Sequence, residues 1–345
     1  MRNGTVLWAL LLLLWACAPL NGFAAGTPVM RISLENTESH MQTGVVRTFA
    51  QRVNQELEGK LKVVVYSNAR LFRDRDAVYA LAQGKVEMIV PGTWNIARIE
   101  PSVNLFMMPV FYGRSAQDVY ALLESPVGDK LAEKIEKTIN AKVLGVWLDL
   151  GHTQMFTLSR PLTAARYVEG MTIRVAGGIS NEMRISALGG LPRIIAWPDL
   201  PAWLESGSVD GVLTSYETVA SAKLWEYGLR YAFEDNEYFA QYVPIVSARF
   251  WNGLPVGIRE VVQRIWDEVA LEGRLQAAEA QERAKNILQR EGLQITVPSR
   301  RQVRMLRERV LPRQDEIAQA THVDMELLRS TEEFFRQLED GNGVP

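Results

Sequence analysis

Arg174 lies within a short strand pattern and carries the group in this sequence with the clearest chemistry to offer. Strand alternation gives one face to apolar side chains, namely Met171, Ile173 and Val175, and turns Arg174 to the other face. Two glycines follow, and Ser180 or Asn181 is predicted to cap a short helix behind them. An arginine beside a helix N-terminus favours an anion. The spacing is compatible with an anion-binding arginine and equally with a solvated surface one.

Other catalytic and metal-binding patterns are absent from the sequence. It contains no nucleophile elbow, phosphate-binding glycine loop, dinucleotide fingerprint or zinc motif. The three histidines, His40, His152 and His322, are far apart and have no partner at ligand spacing. We therefore expect no cofactor and no metal, and we do not expect an enzyme.

The composition is that of an ordinary globular protein. Of 345 residues, 47% are hydrophobic and 23% are charged, which is enough apolar material for a large core. The formal net charge is −2, without long runs of one sign, so a nucleic-acid partner is not expected.

The N-terminus has the layout of a secretory signal peptide. Arg2 precedes an apolar run, and small residues follow it, so residues 1–25 are predicted to be removed on export. The only cysteine, Cys17, lies at the end of the apolar run. Cleavage just before Cys17 would give a lipid anchor instead, although Trp15 makes a poor lipoprotein signal. The predicted location is the periplasm.

Strand and helix patterns alternate along the first half of the chain. A strand at 31–34, an amphipathic helix from Met41 to Leu57 and the strand "LKVVVY" begin the series. A helix over 116–139 and the strand "KVLGVWLDL" continue it, and this order predicts an α/β fold. Beyond Phe250 the chain is mainly long charged helices.

One internal similarity indicates two lobes. "LAQGKVEM" and "LESGSVDG" both read as a helix end, a glycine and a following strand. Either this is a common turn, or each copy closes a helix onto a sheet of its own. In the second case a ligand would lie between the two lobes.

Several motifs, in their order along the chain, resemble a known family. "GKLKVVVYSNARL", "ALAQGKVEM", "MMPVFY", "MTIRV" and "ALGGLPRIIAWPDLPAWLESGSVDG" are similar to segments of the DctP-type solute-binding proteins of tripartite ATP-independent periplasmic (TRAP) transporters. The resemblance runs from about residue 31 to about 292. Each motif is weak alone, but their order is specific.

The resemblance implies a two-lobed periplasmic binding protein fold (type II-like), with a ligand cleft between the lobes and long C-terminal helices. It implies a first lobe from residues 29–151 plus about 240–279. The second lobe would comprise 152–239 plus about 280–335 with the C-terminal helices. The implied function is capture of a small organic acid and its delivery to a membrane permease. A sensor or interaction protein on the same fold, or an exported enzyme, stays an alternative, and the oligomeric state is left open.

The resemblance also implies a ligand site around Arg174. The planar guanidinium of this arginine would bind a carboxylate through two hydrogen bonds. Trp197 falls where the family often has an aromatic residue against the ligand, and Thr214 falls where many members have an asparagine. "GHTQMFT" lacks the second arginine of many members and offers Gln154 instead. We therefore expect a ligand with one carboxylate, bound by Arg174, and with hydroxyl, keto or apolar groups elsewhere. Further cleft candidates are Trp94, Asn95, Tyr216 and Glu35.

Overall fold

The computed structural model describes residues 26–339 and Gly341, so the predicted signal peptide and Cys17 lie outside the described residues. The strands are β1 (Val29–Ser33), β2 (Lys62–Tyr66), β3 (Met88–Ile89), β4 (Ala141–Val143), β5 (Leu148–His152), β6 (Gln154–Thr157), β7 (Thr172–Val175), β8 (Leu191–Ile194), β9 (Gly211–Thr214), β10 (Tyr231–Phe233), β11 (Phe239–Tyr242), β12 (Ile245–Ser247) and β13 (Gln294–Thr296).

The helices connect and cover these strands. They are α1 (Met41–Glu56), α2 (Asp74–Ala82), α3 (Thr93–Ile96), α4 (Ala116–Leu123), α5 (Pro126–Ile139), α6 (Ile179–Ala187), α7 (Leu200–Glu205), α8 (Tyr216–Ser221), α9 (Ala248–Gly253), α10 (Val256–Arg290), α11 (Arg300–Val310), α12 (Gln314–Ala320) and α13 (Met325–Glu339). Short 3-10 segments occur at Pro101–Met107, Pro109–Phe111, Trp197–Asp199, Leu224–Tyr227 and Leu311–Arg313.

Eleven of the thirteen described strands form two separate sheets, which confirms the predicted two-lobed α/β fold. A five-stranded sheet in the order β2-β1-β3-β12-β4 is the centre of the first lobe, and a six-stranded sheet in the order β13-β10-β6-β9-β7-β8 is the centre of the second. β1 runs parallel to β2 and β3, and β7 runs parallel to β8 and β9. The antiparallel pair β5 and β11 lies where the chain passes between them. The exact lobe boundaries stay a prediction.

Two predicted elements are each split in the structure. The helix expected over 116–139 is interrupted because Pro126 starts a second helix, and the Ser125 hydroxyl caps that helix by accepting from the Val127 amide. The strand expected over 142–150 is interrupted at 144–147. There the Asp267 carboxylate of α10 accepts from the Val146 amide at 3.2 Å and lies where a Gly145 side chain would be.

The long helix α10 contacts both lobes. It packs against α1 of the first lobe, against α8 of the second and against β5 between them. Its Trp266 is fully buried and meets Phe49 of α1 edge to face, with ring centroids 5.1 Å apart. The last helix, α13, returns to α4 and α5. In the part of the chain that the structure describes, no helix has the length and apolar character needed to cross a membrane.

A buried ion pair lies near the crossing between the sheets. Arg184 of α6 and Glu237 between β10 and β11 are both fully buried, and Nη2 of the arginine lies 2.7 Å from Oε2 of the carboxylate. The guanidinium also donates to the Met107 carbonyl and to Oδ1 of Asn181. Oε1 of Glu237 accepts from the Tyr167 hydroxyl at 3.0 Å. Both charges are therefore well supplied with hydrogen bonds.

Candidate functional site

A cavity between the two sheets brings together side chains from both lobes. Its empty volume is about 410 Å³. Its walls are formed by Glu35, Asn36, Asp74, Trp94, Leu150, Thr153, Arg174, Ala176, Trp197, Leu213, Thr214, Thr218, Tyr238 and Tyr242. A wider groove, with an empty volume of about 1380 Å³, lies elsewhere, beside Gly59, Gly84 and Phe250. The interlobe cavity is the better candidate because it contains buried charges.

The cavity lies beyond the carboxyl ends of the parallel strands in both sheets. Glu35 and Asn36 follow β1, Trp94 follows β3, and Trp197 follows β8. In open α/β sheets this is the edge where ligands bind, because loops there are free to vary while the strands stay fixed. The fold therefore positions polar side chains from distant parts of the chain around one space.

Arg174 enters this cavity from β7. It pairs in register with Val212 of β9, and Thr214 lies two residues further along β9, so Arg174 and Thr214 share one face of the sheet. Arg174 is 2% exposed, and its Nε donates to the Ile195 carbonyl at 3.0 Å. No described residue accepts a hydrogen bond from its two terminal nitrogens. Burial lowers the pKa of Arg174 to about 10, and Asp74 and Glu35 oppose this shift.

The turn after β7 corrects the predicted helix cap. Gly178, with φ +81°, occupies the N-cap of α6, so neither Ser180 nor Asn181 caps the helix. Asn181 instead donates from Nδ2 to the Gly177 carbonyl at 2.9 Å. A β-carbon at Gly178 would lie 2.4 Å from the sulfur of Met107. The glycines are needed because the turn packs closely against that segment.

Trp197 and Asp74 are joined across the cavity. The backbone N–H of Trp197 in the second lobe donates to Oδ2 of Asp74 in the first lobe at 3.0 Å. The guanidinium carbon of Arg174 lies 6.0 Å from the centre of the Trp197 ring. Asp74 is 3% exposed, and its Oδ1 is buried without a hydrogen-bond partner among the described residues.

Glu35 is the second carboxyl group on the cavity wall. Its Oε2 accepts from Nδ2 of Asn95 at 2.7 Å. Burial, reinforced by the nearby Asp74, raises the pKa of Glu35 to about 8, while Arg174 and Asn95 act in the opposite direction. Trp94 lies beside it and meets Tyr242 edge to face, with centroids 5.5 Å apart. The cavity thus combines one arginine, two carboxyl groups and several aromatic side chains.

Three predicted site residues do not line this cavity. Asn95 supports Glu35 from behind. Gln154 uses both ends of its amide on Asn236, donating to Oδ1 at 2.7 Å and accepting from the backbone N–H at 2.9 Å. Tyr216 packs edge to face on Phe156 and donates to Glu234 at 2.9 Å. The amide of Gln154 and the hydroxyl of Tyr216 are thus already occupied elsewhere in the protein.

Sequence reasoning also missed several wall residues. Asp74, Thr153, Tyr238 and Tyr242 line the cavity but are not among the predicted residues. Asp74 stands in the first turn of α2, where an acidic residue is common for reasons of helix stability alone. Only its place at the end of the stretch "SNARLFRD" (67–74) distinguishes it. Tyr238 and Tyr242 belong to the segment between the sheets, which carries no motif.

The comparison with protein families decides the identity of the fold. The family model for bacterial extracellular solute-binding protein, family 7 (DctP), matches residues 32–321. The chain belongs to this family. One relative of this solute-binding protein is the C4-dicarboxylate-binding periplasmic protein DctP of Rhodobacter capsulatus, 26% identical over 64% of this chain and 65% of the relative. Another is the sialic acid-binding periplasmic protein SiaP of Vibrio cholerae, 21% identical over 84% and 87% of the two chains.

Solved structures show the same fold. The sugar acid binding protein DctPAm from Advenella mimigardefordensis, in complex with galactonate, superposes with a TM-score of 0.84 at 20% identity, covering 90% of this chain and 99% of the other. A TRAP periplasmic solute-binding protein from Sulfurospirillum deleyianum with bound succinate gives a TM-score of 0.81 at 20% identity, covering 89% and 99%. The solute-binding protein described here therefore has their two-lobed architecture.

Hydrogen bonds and ion pairs join the lobes of this solute-binding protein around the cavity. His40 at the start of α1 lies with Nε2 2.8 Å from Oε2 of Glu217 in α8, and both side chains are buried. On the other side, Nη2 of Arg73 lies 2.7 Å from Oδ2 of Asp199, and both side chains are exposed. Contacts between the lobes therefore cross the cleft on both sides of the cavity.

The buried carboxyl of Glu35 predicts a pH-dependent stability for this solute-binding protein. An unfolded Glu35 ionises near its usual pKa, whereas the folded one keeps its proton up to about pH 8. Its contribution is thus fully present at low pH and is lost between about pH 4.5 and 8. Glu35→Gln cannot ionise and should not lose this contribution. The difference in unfolding free energy, variant minus wild type, should therefore increase by about 1.4 kcal/mol for each pH unit as the pH rises through this window.

Urea unfolding at pH 5, 6, 7, 8 and 9 measures this difference. Glu58→Gln provides the control, since Glu58 is exposed and should give a pH profile parallel to that of the wild type. A parallel profile for Glu35→Gln as well would show that Glu35 ionises normally in the folded protein.

Proposed function

We propose that this protein captures a small organic acid through a single carboxylate outside the cytoplasmic membrane and delivers it to a TRAP-type membrane permease. One observation carries the proposal. Arg174 is buried in the interlobe cavity, and its two terminal nitrogens have no hydrogen-bond acceptor among the described residues. A carboxylate fits that requirement because its two oxygens match the arginine fork.

A single carboxylate is favoured by the charges of the wall. Arg174 is the only cation among the residues that line the cavity as described, and Glu35 and Asp74 line it too. Arg75 lies close by, but its Nη2 donates to the Ile194 carbonyl and it is not a wall residue. A second carboxylate would face the Asp74 carboxyl group without a cation of its own. The proposed contacts are therefore Arg174, Trp197, Thr214, Trp94 and Glu35, to which the structure leads us to add Asp74.

The location and the partner are proposed from the family. Relatives carry the description of periplasmic binding proteins, and residues 1–25 have the pattern of a signal peptide. Some neighbours in this fold hold succinate or galactonate. We further propose that the ligand is released unchanged, which mass spectrometry of the released compound would test.

A thermal-shift panel on the mature chain, residues 26–345, tests the proposal. The panel contains short monocarboxylates, hydroxy and keto acids, sugar acids, amino acids and succinate. A ligand at about a hundred times its dissociation constant adds about 2.7 kcal/mol, which raises the midpoint by a few degrees. We expect such a rise with at least one monocarboxylate and a smaller one with succinate. A panel in which only neutral compounds act would contradict the proposal.

Closure predicts a second measurable effect of the same compound. If ligand binding selects the closed form that His40 and Glu217 help to hold, the radius of gyration should fall when the active compound is added. Small-angle X-ray scattering with and without that compound measures the change. An unchanged radius at saturation would indicate binding without closure, as in a protein that does not use hinge motion.

A further inference from the structure

The interlobe cavity contains an unused acceptor as well as an unused donor. Asp74 is held in place by the Trp197 amide, which donates to Oδ2, while Oδ1 accepts no hydrogen bond from the described residues. A buried carboxylate oxygen without a donor is costly, because it has lost its water and gained nothing in return. A ligand that donates a hydrogen bond to Oδ1 of Asp74 would remove this cost.

The surroundings of Asp74 favour a positively charged donor over a neutral one. Glu35 is a second carboxyl group on the same wall, and only its Oε2 accepts a bond, from Asn95. The walls also include aromatic rings, which attract cations over their faces: Trp94, Trp197, Tyr238 and Tyr242. A cation placed here meets the Asp74 carboxyl group, the carboxyl group of Glu35, which keeps its proton at pH 7 and can still accept a hydrogen bond, and several aromatic side chains. The site has low polarity, so the attraction between the cation and Asp74 is strong.

We infer that the ligand is a small zwitterion, with a carboxylate on Arg174 and an N–H-bearing ammonium group directed to Asp74. This inference rests on the proposed carboxylate-binding function and specifies its substrate class. Arg174 and Asp74 are then both neutralised by one molecule, and the two unused hydrogen-bonding edges of the cavity are both satisfied. Short amino acids with few heavy atoms match the small enclosed space.

Sets of matched compounds test the inference with wild-type mature protein. Each set keeps the carboxylate and the shape and changes only one group: glycine, glycolate and propionate; 4-aminobutyrate, 4-hydroxybutyrate and pentanoate; proline, tetrahydrofuran-2-carboxylate and cyclopentanecarboxylate. Titration calorimetry at pH 7 gives the dissociation constants. In at least one set we expect the ammonium compound to bind about tenfold to a hundredfold more tightly than both partners, since hydrogen bonds to charged groups are worth that much.

A substitution at Asp74 assigns the preference to this residue. Asp74→Asn keeps the size and the bond from Trp197 but removes the charge, and it should reduce the advantage of the ammonium compound to less than about threefold. Asp76→Asn is the matched control, because Asp76 is an exposed residue of the same helix, two positions away, and lies outside the cavity wall. It should leave the preference unchanged.

The outcomes separate this inference from the proposed function. If no ammonium compound in any set binds more tightly than its partners, the inference is wrong, whether or not the carboxylates bind. Equal binding by all three members of a set would leave the proposed function intact. A preference that survives in Asp74→Asn would also overturn the inference, because the ammonium group would then be recognised elsewhere.

Discussion

Replacing Arg174 by methionine is expected to weaken carboxylate binding strongly and, at the same time, to raise the melting temperature of the ligand-free protein. Arg174 is buried, and burial lowers its pKa to about 10, so the charged group is held at a cost in stability. Truncating one partner of a buried, hydrogen-bonded charge pair costs about 2–5 kcal/mol of binding free energy. This corresponds to a loss of affinity of about 30-fold or more.

Calorimetric titration and thermal melting of the same preparations measure both effects. Arg193→Met is the matched control, because Arg193 is the exposed register neighbour of Arg174 on β8 and lies outside the cavity wall. It should bind as the wild type does. Arg174→Lys keeps a positive charge but lacks the planar guanidinium. Its affinity for the carboxylate should lie between those of the wild type and Arg174→Met. Full affinity in Arg174→Met would remove the arginine from the proposed site.

Breaking the ion pair between Arg184 and Glu237 is expected to give a large loss of stability. Glu237→Met leaves the Arg184 guanidinium fully buried without its carboxylate partner, which should cost about 3–5 kcal/mol of unfolding free energy. Urea unfolding at pH 7 measures it. The double variant Arg184→Met/Glu237→Met removes both charges and should regain most of the loss, because paired buried charges are often replaceable by apolar groups.

The double variant separates the charge effect from a packing effect. If Glu237→Met and the double variant are equally unstable, lost packing and not an unpaired charge is the cause. A loss below about 1 kcal/mol in Glu237→Met would mean that water reaches Arg184 once the carboxylate is removed.

Much of the fold was predictable because its patterns are local. The strand and helix periods placed β1, α1 and β2 within two residues of their observed ends. Of the two alternatives for the similar helix-end motifs, the structure supports the second, since Gly84 and Gly207 both have positive φ and each leads into a different sheet. The breaks at Pro126 and Gly145 were missed, and the second depends on Asp267 of α10, more than a hundred residues away in sequence.

Strand alternation predicted the candidate site only where a side chain is fixed by its own strand, whereas Glu35, Trp94 and Trp197, which also line the cavity, were predicted alongside the family resemblance. Alternation within β7 was enough to turn Arg174 away from the apolar layer, and β9 places Thr214 on the same face. Gln154 was chosen for its place in the chain, but its amide is occupied by Asn236 in a distant segment. Asp74 was missed because only the second lobe, through the Trp197 amide, makes it part of a cavity. Tertiary pairings of this kind leave no local pattern.

The helix α10 has a mechanical consequence for ligand affinity. It is a rod of 35 residues, roughly 50 Å long, that touches both lobes. At its middle, Gly273 lies so close to α1 that a β-carbon there would be 3.1 Å from Val45. Whenever the lobes part, such a rod must flex or release one of its contacts. The elastic work enters the balance between open and closed forms, so substitutions on its outer face would tune affinity without touching a ligand atom.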